Sequence, residues 1–434
     1  MDKMADVLGR AGAWCGQNKY LSAIKNAFQN FMPLTIAGAI GVLWCNVLVN
    51  DQTGLGLFFK PIMALDFLNP AFQAVNFCTI SCITVGITLG IAQEIGIWNM
   101  GAEKAGYIPG LVGLAAWLSV TNTSHMVEGA KAAFTGISGN ELGATGLFTG
   151  MIIAVLSVEL FCFFEKQDAL KIKMPEQVPP GVARAFEVLV PATITLIITA
   201  CIGSACYNLT GLYLNDVIKN GIQGPLGAVG ATIPGVMIIY LVIMLFWLVG
   251  IHGNNMLSAV KEALFTPLAL ENVEAFNKHQ TPKNIINMYA LQMWGEFGGS
   301  GVTIGLVIAI MIFSKREDNK AIATLSLVPG LFNINETVTF GIPMVLNPIL
   351  GIPFVVAPLI TIIIGYVLTV IGFCPVACLT VPWTTPPIVF GFLACGANVM
   401  GAVTQAILIV VSTVIYTPFL ISYEKYQNKQ AAEA

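Results

Sequence analysis

Charge is scarce in this chain. Lys and Arg number 20 and Asp and Glu 23 in 434 residues, or 10% of positions, where soluble proteins carry roughly a quarter. With 56% hydrophobic residues, that scarcity excludes an ordinary solvated surface and marks an integral membrane protein. The net charge of −3 comes without a long basic run or basic–aromatic interleaving, so nucleic acid is excluded as a partner. The ten cysteines include no CxxC pair. Neither a disulfide framework nor a metal site is expected, and the thiols read as small hydrophobes in packed helices. Histidines number three, and no HExxH, nucleophile elbow or nucleotide-binding glycine loop occurs. No cofactor is expected, and any high-energy group must come from elsewhere.

What the chain has instead is glycine, 43 residues, and proline, 22. Both are frequent where helices pack closely or break inside a bilayer. Apolar stretches long enough to span run from Phe28 to Val49, Ala74 to Ala92, Gly106 to Val120, Gly143 to Phe164, Ala185 to Tyr207 and Gly227 to Ile251. Beyond Ile251 the runs shorten and are cut by Pro267, Gly298 to Gly301, Pro343, Pro348, Pro353, Pro382, Pro386 and Pro387. Such interruptions point to discontinuous helices and re-entrant hairpins lining a binding site. Spans return at Val302 to Phe313, Val355 to Phe373 and Ala402 to Ile421, with a shorter one before Asn333. The expected fold is all-α, with about ten transmembrane helices plus two re-entrant hairpins.

Residues 1–27 mix Lys3, Arg10, Lys19 and Lys25 with short apolar runs and lack a signal-peptide core; they read as an interfacial amphipathic helix. The polar linker from Glu165 to Arg184 carries Lys166, Lys171, Lys173 and Arg184, which the positive-inside rule places in the cytoplasm. Counting back puts the amino terminus on that side, the alternate loops with Lys60, Lys131 and Lys219 being less positive. The expected organisation is a scaffold at 28–207, a connection at 208–226, a transport region at 227–423 and a cytoplasmic tail at 424–434.

Two polar clusters stand in oily sequence: Gly250-Ile-His-Gly253 and Asn333-Ile-Asn-Glu336. Ionisable groups at membrane depth are functional candidates by default. The His252 imidazole can donate to one sugar hydroxyl and accept from another; the competing reading is an interfacial histidine at a helix end. Glu336 offers a strong acceptor for vicinal hydroxyls and a base, against a structural role in satisfying a broken helix. Trp383, between prolines, suits the C–H face of a pyranose, or equally an interfacial anchor. Gly298, Gly299 and Ser300, before Gly301, expose backbone polar groups for hydroxyls. Glu94, Glu159, Glu187, Lys261, Glu262 and Glu296 receive no individual role, and His125 and His279 are expected to be solvated.

At these residues the chain resembles the enzyme IIC membrane component of the phosphoenolpyruvate-dependent sugar phosphotransferase system, in its lactose, cellobiose and diacetylchitobiose branch. The resemblance rests on Lys173-Met-Pro-Glu-Gln-Val-Pro-Pro-Gly-Val-Ala-Arg184, Trp247-x2-Gly-Ile-His-Gly253, Gly298-Gly-Ser-Gly301, Ile334-Asn-Glu336 with Phe340-Gly-Ile-Pro343, and Pro382-Trp383-Thr384. It implies a homodimer of ten-span subunits whose first five spans make the dimer contact and whose remainder carries the sugar and moves as a rigid body. It further implies His252 and Glu336 beside the hydroxyl that receives phosphate, Asn335 as a sugar ligand and Trp383 as a stacking partner. The phosphoryl donor would be a phosphocysteine on a separate IIB subunit, recharged by IIA. The chain departs from the pattern at Thr337, where proline often follows the Asn-Glu pair, and at Glu296, a charge before the glycine turn. No segment long enough for a fused IIB domain follows the last span, which favours a cellobiose-like arrangement. The expected function is phosphorylating uptake of a β-linked disaccharide across the plasma membrane. The competing readings are a proton-coupled sugar carrier using Glu336 or Glu159, and a sugar sensor.

Overall fold

The computed structural model describes residues 10, 13–14, 17–51, 55–125, 134–175, 177–225, 230–342 and 344–433. Lys3, Lys131, Gly227 and Pro343, all named above, lie outside the described residues, as does Cys15 among the ten cysteines. Among the described residues, six helical stretches are long and apolar enough to cross a membrane, and three shorter apolar helices accompany them. The protein is a mostly helical, multi-pass membrane protein, with one two-residue ribbon, β1 (Ser124–His125) against β2 (Phe134–Thr135). His125 sits in that ribbon, half-buried, so the expectation of a solvated loop is corrected there.

The first helix, α1 (Lys19–Leu43), starts well ahead of Phe28. Asn18 sets its start by accepting the backbone N–H groups of Tyr20 and Leu21, each at 3.1 Å, which satisfies donors that a helix start leaves free. The span expected from Ala74 to Ala92 is broken: α2 (Asn69–Cys78) ends at Thr79, a 3-10 turn follows, and α3 (Ile83–Met100) carries the longer apolar run. The Thr79 hydroxyl donates back to the Val75 carbonyl at 2.6 Å, closing α2 on itself.

The chain divides into two compact units, one of Gln17–Gly38 and Ala74–Ala228, the other of Met1–Gly16, Ala39–Gln73 and Val229–Ala434. In the former, α3 packs against α4 (Ile108–Val120) and α5 (Leu147–Glu165), and α4 against α6 (Pro180–Thr210). Glycine permits the contact: a Cβ at Gly113 would stand 2.3 Å from that of Ala92, and one at Gly150 2.3 Å from the Thr88 hydroxyl. Several charges here are paired within the unit. Lys19 meets Glu159 at 2.6 Å, and the buried Glu165 receives Lys104 at 2.9 Å and Arg184 at 3.0 Å.

The second unit holds α7 (Ile233–Leu248), α8 (Ser258–Asn277), α9 (Met288–Gly295), α10 (Ile304–Phe313), α11 (Glu317–Leu331), α12 (Glu336–Gly341), α13 (Gly351–Val370), α14 (Val389–Ala394) and α15 (Val399–Glu433). Pro267 was expected to cut the chain, yet α8 runs through it for 20 residues; transmembrane helices tolerate proline where neighbours satisfy the freed carbonyl. The six to eight residues of α9, α12 and α14 reach only about 12 Å at best, far short of a ~30 Å hydrocarbon core. They are the broken segments that the glycine and proline punctuation announces. α13 and α10 pack on the long α15, and α9 on α13. Asn287 starts α9 by accepting from the backbone N–H of Tyr289 and Ala290 at 3.0 and 3.1 Å, while its own amide donates to the Ala377 carbonyl at 3.1 Å. One buried asparagine thus caps a short helix and ties it to the chain before Trp383.

Candidate functional site

The broken segments of the second unit surround a cavity of about 650 Å³. Its wall includes His252, Asn335, Glu336, Trp383, Gly299 and Ser300, so six of the seven residues singled out in the sequence meet around one space. Gly298 does not line it; it closes the turn behind the wall.

That turn is built from left-handed backbone, with φ of 70° at Gly298, 86° at Gly299, 81° at Gly301 and 49° at Val302. A side chain at Gly299 would lie 2.7 Å from Cβ and Cγ of Asn335, and one at Gly301 2.4 Å from the Phe354 ring. Only glycine lets Asn335 approach this closely, and there its Nδ2 donates to the Ser300 carbonyl at 2.7 Å. Asn335 therefore fixes the Gly-Ser turn as well as facing the cavity.

Asn333 performs the longer-range tie. Held at φ 62°, it accepts the Gly298 N–H at 2.6 Å and donates to the carbonyls of Trp383 and, at 3.1 Å, Thr385. Three segments far apart in sequence are locked by one side chain. A non-glycine residue at positive φ is uncommon but most accessible to asparagine, which is the one signal that sequence reading had for it.

His252 follows a left-handed Gly250 (φ 82°) and precedes Gly253, where a Cβ would stand 2.0 Å from the Ile243 carbonyl. Its ring packs on Trp247, centroids 4.4 Å apart. Nδ1 accepts the Asn255 backbone N–H at 3.3 Å, so the ring proton sits on Nε2. Sequence reading gave both nitrogens to sugar hydroxyls; the structure commits Nδ1 to capping a helical turn and leaves Nε2, 3.7 Å from Oε1 of Glu336. That separation exceeds a hydrogen bond and leaves room for a hydroxyl to touch both. Glu336 starts α12, where a carboxylate favours the helix dipole, and its side chain is 47% exposed. It opens to the cavity rather than sinking among apolar groups.

Further wall residues were passed over in the sequence. Lys261 of α8 pairs with Glu296, whose Oε1 also accepts the hydroxyl of the fully buried Tyr240 at 2.7 Å. Both Lys261 and Glu296 line the cavity, as do Asn254, Gln292 and Gln405. Gln405 is structural, its Oε1 accepting from Ile388 and Gly391 N–H at 2.7 and 2.8 Å. Gln292 Oε1 and Asn254 Oδ1 are buried without a hydrogen-bond partner among the described residues, poised for groups a ligand would bring. The available signal was spacing: Gln292 and Glu296 are four residues apart, about one helical turn. The remaining charges sit elsewhere: Glu94 accepts from Asn26, Glu159 pairs with Lys19, Glu187 with Arg184, and Glu262 accepts from Thr266.

The wall combines a base, a ring N–H donor, amides and an exposed indole in a largely preformed space, a composition suited to a polyhydroxylated ligand. Among the described residues no group of three or more His, Cys, Asp or Glu could hold a metal. The cysteines described are free thiols.

Residues 25–358 match the family model "Phosphotransferase system, EIIC". The chain is 32% identical to the PTS system oligo-beta-mannoside-specific EIIC component of Bacillus subtilis (strain 168), over 98% of this chain and 94% of that one. It is 29% identical to the PTS system cellobiose-specific EIIC component of Lactococcus lactis subsp. lactis (strain IL1403), over 98% of each. Among solved structures it is similar to the transporter ChbC, the IIC component from the N,N'-diacetylchitobiose-specific phosphotransferase system, with a TM-score of 0.88, 30% identity and 97% of each chain covered.

Proposed function

This chain belongs to the phosphotransferase system EIIC family, and we propose that it carries a β-linked disaccharide of the cellobiose type across the plasma membrane and presents the sugar's 6-hydroxyl for phosphorylation. The observation that carries the reading is the facing pair, His252 Nε2 and Glu336 Oε1, 3.7 Å apart on the wall of a polar cavity. A hydroxyl seated there donates its proton to Glu336 and accepts from Nε2–H. Its oxygen then forms a bond to phosphorus as the phosphorus–sulfur bond of a phosphocysteine on a IIB subunit breaks and the thiolate leaves. Trp383, 45% exposed, stacks on the apolar face of the sugar. Phosphorylation charges the product and traps it on the cytoplasmic side, so chemistry rather than an ion gradient makes uptake irreversible.

The resemblance supports the rest of the proposal: recharging of IIB by IIA, a homodimer joined through the amino-terminal spans, a second unit that moves to expose the sugar alternately, and a cytoplasmic amino terminus. The proton-coupled alternative gains nothing from Glu159, which is ion-paired with Lys19 at 2.6 Å and does not line the sugar cavity. The test is to reconstitute the chain in vesicles, supply phosphorylated IIB on the cytoplasmic side, and identify products by mass spectrometry. A 6-phosphorylated disaccharide is expected; free sugar accumulating without IIB would contradict the proposal.

A further inference from the structure

The cavity holds a charge pair that the phosphoryl-transfer reading does not use. Resting on that reading, we propose that Lys261 and Glu296, with Gln292, determine specificity: they recognise a free ring hydroxyl, other than the one phosphorylated, and disfavour an acetamido group in its place.

The geometry is specific. Both internal partners of Glu296, the Lys261 ammonium and the Tyr240 hydroxyl, fall on Oε1. Tyr240 is fully buried and Lys261 nearly so, and Lys261 and Glu296 both line the cavity. Placing an ion pair inside a membrane protein carries a large desolvation cost. A purely structural pair gains nothing from facing a ligand space, whereas this one lines it. Oε2 of Glu296 can accept a hydrogen bond, and an ammonium carries three donors, of which Glu296 engages one.

A hydroxyl donates and accepts through a single oxygen. One sugar hydroxyl can therefore give its proton to Oε2 and accept from Lys261 at the same point. An acetamido group splits these roles between a nitrogen and a carbonyl oxygen and adds a methyl. It engages one charge and leaves the other desolvated and unpaired, which is strongly unfavourable. Gln292, one turn earlier in α9, adds a buried Oε1 with no hydrogen-bond partner among the described residues, and a neighbouring hydroxyl satisfies it. A site built to hydrogen-bond a hydroxyl rejects a ligand lacking it far more strongly than an apolar pocket rejects a change of size.

The test is calorimetric binding to the full chain in lipid nanodiscs, with cellobiose and N,N'-diacetylchitobiose as probes and no IIB present. The unaltered protein is expected to favour cellobiose by about tenfold or more. The double variant Lys261→Met with Glu296→Gln, which leaves no lone charge, is expected to reduce that preference to about threefold or less. Gln292→Leu, which leaves the ion pair in place, is expected to reduce it partway, and it keeps the test decisive if the double variant misfolds. Equal binding of the two sugars by the unaltered chain, or an unchanged preference in the variants, would overturn the inference while leaving the disaccharide reading standing. Binding of neither sugar would overturn the disaccharide reading itself.

Discussion

The two units of this protein place their polar residues differently. In the unit of residues 17–38 and 74–228, charges close on each other: Lys19 with Glu159, and Glu165 with Lys104 and Arg184. Its helices touch at glycines such as Gly113 and Gly150. In the other unit Lys261 also pairs with Glu296, yet around the cavity several polar groups stand unpaired. His252 and Glu336 face each other across 3.7 Å, and the amides of Asn254 and Gln292 each keep a buried oxygen without a hydrogen-bond partner among the described residues. Among the described residues, every non-glycine at positive φ lies in this second unit: His279, Val302, Asn333, Leu346, Ile388 and Ala397. Backbone strain persists only where surrounding structure overdetermines it, and it gathers at functional sites. The lesson is that the same side chains are stabilising when paired and ligand-seeking when they stand unpaired around a cavity.

The sharpest way to break the comparison is Glu336→Gln, which keeps shape and removes the base. Sugar phosphorylation by phospho-IIB should fall about a thousandfold, while protein yield and melting temperature stay near those of the unaltered chain. Next is Glu165→Leu in the paired unit, which removes the buried acceptor shared by Lys104 and Arg184 and leaves Arg184 with Glu187 alone. It should destabilise the fold by about 3 kcal/mol, read as a lowered melting temperature, with phosphorylation per folded molecule unchanged. Gly299→Ala sharpens the contrast between glycines. With φ at 86° and Asn335 at 2.7 Å, it should cost about 2 kcal/mol of stability and weaken sugar binding. Gly139→Ala, with nothing within 4 Å of the new Cβ, should stay within about 0.5 kcal/mol. Among effects on sugar binding the smallest is expected of Trp383→Phe, which keeps an aromatic face and should weaken calorimetric binding by about threefold.

Much of the site was legible in the sequence because ionisable and amide groups are conspicuous in apolar surroundings. His252, Asn335 and Glu336 announced themselves that way, and the glycine turn did so by composition. What stayed hidden was pairing. Nothing in the order of residues says that Nδ1 of His252 is spent on the Asn255 N–H, or that Asn333 joins the turn at Gly298 to the segment carrying Trp383. Lys261 and Glu296 are 35 residues apart, and only the packing of α8 beside α9 reveals them as a pair. Helix limits failed in the same manner. Pro267 reads as a breaker, yet α8 continues through it, while the apolar run after Ala74 conceals the break at Thr79. Local propensity yields where tertiary contacts satisfy the backbone.

The central claim is that the polar cavity binds a disaccharide and that Glu336 activates its hydroxyl for phosphoryl transfer. The most direct test measures both steps on one preparation of the Glu336→Gln protein in nanodiscs: calorimetric sugar binding, then sugar phosphate formed on adding phosphorylated IIB. The account predicts binding within about tenfold of the unaltered protein, because the amide still hydrogen-bonds hydroxyls, with phosphorylation lost. Phosphorylation at an undiminished rate would contradict it.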